Sequence, residues 1–258
     1  MTKIITSVPE AHAELSRLMD DAEHIAAFTG AGISTESGIP DFRSKDSLWK
    51  RNPPIPFDEF MSSETVRMES WRRKFTMDDS YTGAAPNVGH YALARLVDEG
   101  RMHAIITQNI DGLHEASGVA KDRIIELHGN GTYAKCLTCG VRHELSAVRK
   151  KFESSNRAPA CLCGGIVKTA TIAFGQAMPQ DEMRRAHAAT LQCDLMLSIG
   201  SSLVVYPAAG FPVLAKESGA RLVIVNRDET PLDGIADLVI RAGIGEVLAP
   251  WAGRDRLN

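Results

Sequence analysis

No apolar run in this 258-residue chain approaches the roughly 20 residues needed to cross a bilayer as a helix. Positive charge is not in excess either. The 29 Lys and Arg stand against 32 Asp and Glu, a formal net charge of −3, which gives no electrostatic case for nucleic acid or an anionic membrane as partner. The opening stretch, MTKIITSVPEAHAELSRLMDDAEHIAAF, has one early lysine followed by acids and no apolar core before a cleavage site. It does not read as a signal peptide, so a cytoplasmic protein is expected. Internal repeats and low-complexity tracts are missing as well. Cysteine is scarce, with five in all, and in a reducing compartment those five are better read as metal ligands or core residues than as disulfides.

What is present has the rhythm of an α/β protein. Five short apolar segments end in glycine or a polar residue: HIAAFTG (24–30), HAIITQN (103–109), DLMLSIG (194–200), RLVIVNRD (221–228) and DLVIRAG (237–243). Their continuous rather than alternating apolar character suits strands buried on both faces of a parallel sheet. Helical patterns lie between them. Residues 87–100 place Val88, Tyr91, Leu93, Leu96 and Val97 near one face and stop at Gly100, and residues 207–220 give a second, proline-interrupted example. The expected architecture is therefore α/β, a Rossmann-like, doubly wound parallel sheet. Residues 1–129 and 171–258 would form it, with residues 33–80, rich in Pro, Ser and charge, as a long functional loop carrying a short helix or two.

Residues 130–170 break the alternation and hold four of the five cysteines. CLTCG (136–140) and CLCGG (161–165) leave 21 residues between Cys139 and Cys161, and each pair is followed by glycine. Cys136, Cys139, Cys161 and Cys163 thus read as a zinc-ribbon ligand set, closed by four thiolates and so structural, although the second pair is C-x-C rather than C-x-x-C. The alternative is four reduced thiols without metal. Cys193 reads as a core residue.

GAGISTESGIPDFRS (30–44) follows the first strand, where a glycine turn commonly meets a nucleotide phosphate. The dinucleotide fingerprint is incomplete, because Thr35 occupies its sixth position and no acid follows about 20 residues later at a strand end. A plain dehydrogenase is therefore a poor fit. GAGISTESGIPDFRS, TQNIDGLHEASG (107–118), ELHGN (126–130), the two cysteine pairs, FG (174–175), GSSLVVYPAA (200–209) and VIVNRD (223–228) occur in the order found in sirtuins. The chain resembles that family of NAD-dependent protein lysine deacylases from about residue 24 to 248.

The resemblance implies a site. Gly30, Ala31, Gly32 and Thr35 would bring backbone amides to the NAD pyrophosphate. Asp41, Phe42 and Arg43 would belong to a loop over the cofactor, Phe42 shielding the reacting C1′ carbon. Asn109 and Asp111, with Ile110 beside them, would hold the nicotinamide carboxamide, and Gln108 would border the ribose. Gly200, Ser201 and Ser202 would reach phosphate and ribose, and Asn226 the adenosine ribose. His128 would be the general base, suited by an unperturbed pKa of about 6.5; the bland alternative is a hydrogen-bonded core histidine. Phe174, Gly175 and Val205 would line the acyl-lysine substrate, whose backbone would add as a strand. Lys168-Thr169 and Gln176 replace the family's commoner Arg-Pro and Glu at this edge. The Tyr-x-x-Arg motif of succinyl-preferring members would fall on Ser70 and Arg73 of RMESWRRKF (67–75), so neutral acyl groups are expected. His114 reads as structural. The expected partners are acyl-lysine proteins or peptides, the expected cofactors NAD and structural zinc, and the expected state a monomer. An ADP-ribosyltransferase or NAD glycohydrolase on the same fold, and a non-catalytic NAD or acyl-lysine sensor, are the competing readings.

Overall fold

The computed structural model describes residues 2–41 and 53–253. Its frame is a seven-stranded sheet in which every neighbouring pair is parallel. The strands are β1 (Lys3–Ile5), β2 (Ile25–Thr29), β3 (Met102–Thr107), β4 (Ile124–Glu126), and, after a small second sheet, β8 (Leu195–Ile199), β9 (Arg221–Val225) and β10 (Leu238–Ile240). Their spatial order is β1-β10-β9-β8-β2-β3-β4. The five apolar segments read from the sequence are the five inner strands. β2 and β8 are buried at every residue, as strands covered on both faces must be.

Two strands escaped the sequence reading. β1 and β4 are three residues each, too short to show a pattern, and they sit at the sheet's two edges, where one neighbour suffices.

Helices cover both faces. The helices Val8–Asp20, Val88–Asp98 and Ile244–Leu248 bury Leu15, Leu93 and Val247 in one apolar cluster with Ile25, Ile105 and Leu197. Gln180–Gln192 and Gly210–Glu217 bury Ala186 and Phe211 in the opposite cluster with Phe28, Ile106 and Ile224. The alternation of cluster membership along β2 (Ile25 and Ala27 on one side, Ala26 and Phe28 on the other) is the pleat of a doubly covered sheet.

The chain runs outward from the middle in both directions: β2 to β3 to β4 on one side, β8 to β9 to β10 on the other. The switch point lies between β2 and β8, and in open α/β sheets the crevice beyond the carboxyl ends of such strands is where ligands bind.

The expected long loop over 33–80 is only partly a loop. A 3₁₀ helix covers Ala31–Ser37, and α-helices run Phe57–Ser62 and Glu64–Ser80, the latter 17 residues long. It is longer than the short helix the sequence suggested, because only Trp71 and Phe75, one turn apart, are buried along it and leave no continuous apolar stripe to mark its extent. Its N-cap is Ser63, whose hydroxyl accepts from the Val66 amide at 3.3 Å.

The small sheet is antiparallel, ordered β6-β5-β7, from β5 (Gly129–Cys136), β6 (Arg142–Glu144) and β7 (Val167–Thr171). The helix Leu145–Ser155 covers it. Its apolar centre is shared with the Glu64–Ser80 helix: Trp71 and Phe75 pack with Ala134, Val148, Phe152 and Val167. Trp71 and Phe75 stack at 5.5 Å between ring centres.

Candidate active site

The carboxyl ends of β2 and β8 meet glycine against glycine. The Gly30 amide donates to the Ile199 carbonyl at 3.1 Å and the Gly32 amide to the Gly200 carbonyl at 2.8 Å. A Cβ on Gly32 would lie 2.7 Å from the Gly200 Cα, and one on Gly30 would lie 2.8 Å from the Ser201 Cα. Contacts that short force the chain apart, so glycine is required for two loops to touch. The amides of Gly30 and Gly32 are thus engaged with Ile199 and Gly200, and the two glycines set how closely the loops approach. Ala31 and Thr35 lie in the 3₁₀ helix that follows, with the Thr35 hydroxyl bonded to the Gly32 carbonyl at 2.9 Å.

Beside this junction β3 ends at Thr107, one strand over, and its loop delivers Gln108, Asn109, Ile110 and Asp111. Asn109 is 9% exposed, and its Nδ2 donates to the Gly30 carbonyl (3.1 Å) and the Ser34 hydroxyl (3.2 Å). That hydroxyl in turn donates to Asp111 Oδ2 at 2.7 Å, and Asp111 Oδ1 accepts from the Leu113 amide at 2.9 Å. Gln108 Nε2 donates to the Ser201 hydroxyl at 2.7 Å, joining the β3 loop to the β8 loop. Ser34, 1% exposed, is the site residue that the sequence reading missed. Its signal was faint: a small polar residue two places after the glycine turn, in a segment expected to be loop.

His128 closes the far side. It follows β4, which pairs with β3, so the histidine stands next to the loop carrying Asn109. Its Nδ1 lies 3.0 Å from the Gln108 carbonyl. A carbonyl only accepts, so Nδ1 carries the proton and Nε2 keeps its lone pair. Burial pushes the His128 pKa down, partly opposed by the Gln108 carbonyl. The ring is therefore held neutral, and among the described residues its Nε2 has no hydrogen-bond partner. The next residue, Gly129, has φ +72°, and a Cβ there would lie 2.1 Å from the Ala170 carbonyl oxygen. Only glycine lets β5 start so close to β7 directly after the histidine.

The remaining assigned residues that the structure describes lie on the loops after β2, β7, β8 and β9. Ser201 is buried and Ser202 half-buried at the end of β8. Asn226 follows β9, its side-chain amide donating to the Asp228 carbonyl at 2.8 Å. Phe174 is 59% exposed and Val205 38%, on the loops after β7 and β8. The Phe174 carbonyl accepts from the Phe57 amide at 2.9 Å, and Gly175 has φ +81° with open space where a Cβ would stand. Asp41 is half-buried; Phe42 and Arg43 lie outside the described residues. Arg73 is engaged within its own helix by Glu69 at 2.7 Å and by the Pro53 carbonyl at 2.9 Å.

His114 is buried, its Nε2 2.9 Å from the Thr29 hydroxyl. Its ring stands 5.1 Å from that of His90, centre to centre. Burial pushes His114 down to about 3 and His90 to about 4, so both are neutral. Cys193 is buried, its thiol directed at the Thr190 carbonyl.

The four other cysteines converge. Cys136, Cys139, Cys161 and Cys163 place their sulfurs within 4.8 Å of one another, with Cys136 to Cys163 at 3.6 Å and Cys139 to Cys161 at 3.7 Å. Four thiolates each about 2.3 Å from a central zinc stand about 3.8 Å apart, so the set fits a tetrahedral ion. The C-x-C pair reaches as well as a C-x-x-C pair because Gly164 takes φ +82° and turns the knuckle immediately.

A doubly wound sheet whose switch-point loops converge on a polar crevice, flanked by a four-cysteine module, defines a nucleotide-binding enzyme with a structural metal ribbon. The chain matches the Sir2 family over residues 30–207 and belongs to that family. It is 56% identical to an NAD-dependent protein deacetylase of Rhodopseudomonas palustris, over 97% of this chain and 99% of that one. With NAD-dependent protein deacetylase 1 of Bradyrhizobium diazoefficiens the identity is 53%, over 98% and 100%. A solved Sir2 complex with a p53 peptide and NAD+ superposes with a TM-score of 0.81 at 38% identity, covering 92% of this chain and 95% of that one. Another, holding a deacetylated p53 peptide and 3′-O-acetyl ADP-ribose, gives 0.82 at 37% over the same shares. Among the described residues no helix is long and apolar enough to cross a membrane.

Proposed function

We propose that the protein is an NAD-dependent protein lysine deacylase. The acyl group passes from the lysine nitrogen to ADP-ribose with the consumption of one water, nicotinamide is released, and the products are free lysine and 2′-O-acyl-ADP-ribose. The observation that carries this reading is the neutral His128, with Nδ1–H fixed on the Gln108 carbonyl and Nε2 left as acceptor beside the Asn109–Ser34–Asp111 chain.

The roles follow from that geometry. Asn109 spends both side-chain N–H groups on Gly30 and Ser34, which leaves its Oδ1 as the acceptor for a carboxamide N–H. Asp111 adds negative charge beside it. Ser201 and Ser202, with Gln108 bonded to Ser201, suit ribose and phosphate oxygens, and Asn226 the adenosine ribose. His128 Nε2 accepts a proton from a ribose hydroxyl, making that oxygen a nucleophile toward the acyl carbon. Phe174, Gly175 and Val205 present the substrate edge, and the four cysteines hold zinc that supports the fold rather than the chemistry. Residues 130–170 act as a zinc-bearing unit on the nucleotide-binding domain.

Incubation with NAD and a panel of acyl-lysine peptides, read by mass spectrometry, tests the reading. Nicotinamide and O-acyl-ADP-ribose should appear together. Nicotinamide without the acylated sugar would point instead to ADP-ribosyl transfer or NAD hydrolysis. Acetyl peptide should give a higher kcat/KM than its succinyl counterpart, because Ser70 is short and Arg73 is already paired with Glu69.

A further inference from the structure

Lys168 is a charged side chain in an apolar setting. It is 5% exposed, and among the described residues no carboxylate pairs with it. Its ammonium stands 5.9 Å from the centre of the Phe60 ring and donates to the Thr171 carbonyl at 2.6 Å, with the Thr169 carbonyl at 3.4 Å and the Thr171 hydroxyl at 3.5 Å. Burying an ammonium with only dipoles for company is costly, and an apolar residue of the same shape would favour stability. The arrangement calls for another reason.

The Thr171 carbonyl and the Ile172 amide belong to one peptide unit. At its other end, the Ile172 N–H donates to the carbonyl of His128 at 2.8 Å. A single planar group thus bridges the buried ammonium and the main chain of the proposed base. Peptide planarity makes this a stiff coupling, because a plane held at both ends cannot rotate about its flanking bonds. Directly after it come Ala173, Phe174 and Gly175, a segment outside any strand, held downstream by the Phe174 carbonyl on the Phe57 amide and by Gln176 Oε1 on the Ala173 amide at 3.2 Å.

We propose that Lys168 is a positioning residue for the acylated peptide: its ammonium locks the 171–172 peptide plane and so holds the 173–175 edge in the geometry that receives the substrate backbone. The proposal rests on the deacylase reading. It predicts a particular division of kinetic effects. The His128 ring is fixed independently by its own bond to the Gln108 carbonyl, so loss of the ammonium should loosen the edge and leave the base in place.

The test is steady-state kinetics on Lys168→Met, which keeps the shape and removes the charge, beside the parental protein. The KM for acetyl-lysine peptide should rise on the order of tenfold, what the loss of a charge-assisted hydrogen bond commonly costs. The kcat and the KM for NAD should stay within about threefold, inside the usual effect of a distant, uncoupled change. In Lys168→Ala, n-propylammonium, which replaces the deleted atoms, should restore the peptide KM. A Met variant with the parental peptide KM overturns the proposal, as does a fall in kcat with KM unchanged. Loss of the fold in both variants, read by thermal unfolding and zinc content, would assign the ammonium to stability and would overturn it too. A parental protein that never turns over acyl peptide with NAD sinks the deacylase reading instead, so the two failures are distinguishable.

Discussion

Ser34 and Asp111, 77 positions apart in sequence, are joined by a 2.7 Å hydrogen bond from hydroxyl to carboxylate, and the same hydroxyl accepts from Asn109 at 3.2 Å. One buried hydroxyl thereby sets the distance between the two side chains assigned to the nicotinamide carboxamide. Replacing Ser34 with Ala leaves Asn109 and Asp111 each short of a partner, which costs about 1–3 kcal/mol in a buried site. The KM for NAD should rise by roughly 5- to 150-fold, the same energy expressed as binding. Titration of NAD into the variant checks this, and parental affinity would remove Ser34 from the site.

His128→Ala should leave NAD binding close to parental and slow deacylation on the order of 10²-fold or more, the usual worth of a general base. The pH profile gives an independent reading. The base is active when neutral, and burial lowers its pKa, so kcat/KM should hold as pH falls past the ordinary histidine value of 6.5 and drop only below it. An acid limb at or above 6.5 in the parental enzyme would contradict the buried, neutral His128.

The zinc site should hold about one ion per chain after purification without chelator. Cys136 ends β5, the strand that begins at Gly129 beside His128, and its register partner on β7 is Val167. Cys161→Ser should therefore lower thermal stability and abolish activity indirectly, since metal binding and folding are coupled. Elemental analysis that finds no zinc in active protein would defeat this.

The buried pair His90 and His114 makes stability depend on acid. Both are neutral when folded, at about 4 and about 3, and both return to the ordinary value of 6.5 when unfolded. Below 6.5 the unfolded state binds more protons, so stability falls as pH drops from 6.5 until the folded values are reached. Each histidine contributes about 1.4 kcal/mol per pH unit across that window. Thermal unfolding between pH 7 and pH 5 should show the loss, and His114→Gln should flatten it. A parental melting temperature that does not change over this range would show that the pair is hydrated or charged in the fold.

The local order of the chain was legible because its signals are local. Five inner strands announced themselves as continuous β-branched runs, since a strand covered on both faces must be apolar at every position. The helix Val88–Asp98 showed its buried face, the cysteine pairs their ligand spacing, and GAGIS and TQNID stood at the ends of legible strands, where a doubly wound sheet places its ligands. The edge strands β1 and β4 and the full length of the helix Glu64–Ser80 were not legible, because three residues carry no period and two buried aromatics make no stripe. The sheet order was also hidden, and it was decisive. Only the pairing of β2 with β8 brings Gly32 against Gly200 and ties the amides of Gly30 and Gly32 to Ile199 and Gly200. Ser34 became a bridge to Asp111, and the His128 carbonyl met the Ile172 amide, through placements of the same kind. Hydrogen bonds between residues tens of positions apart depend on how strands are ordered and where loops touch, and no residue type or spacing within a segment encodes that placement.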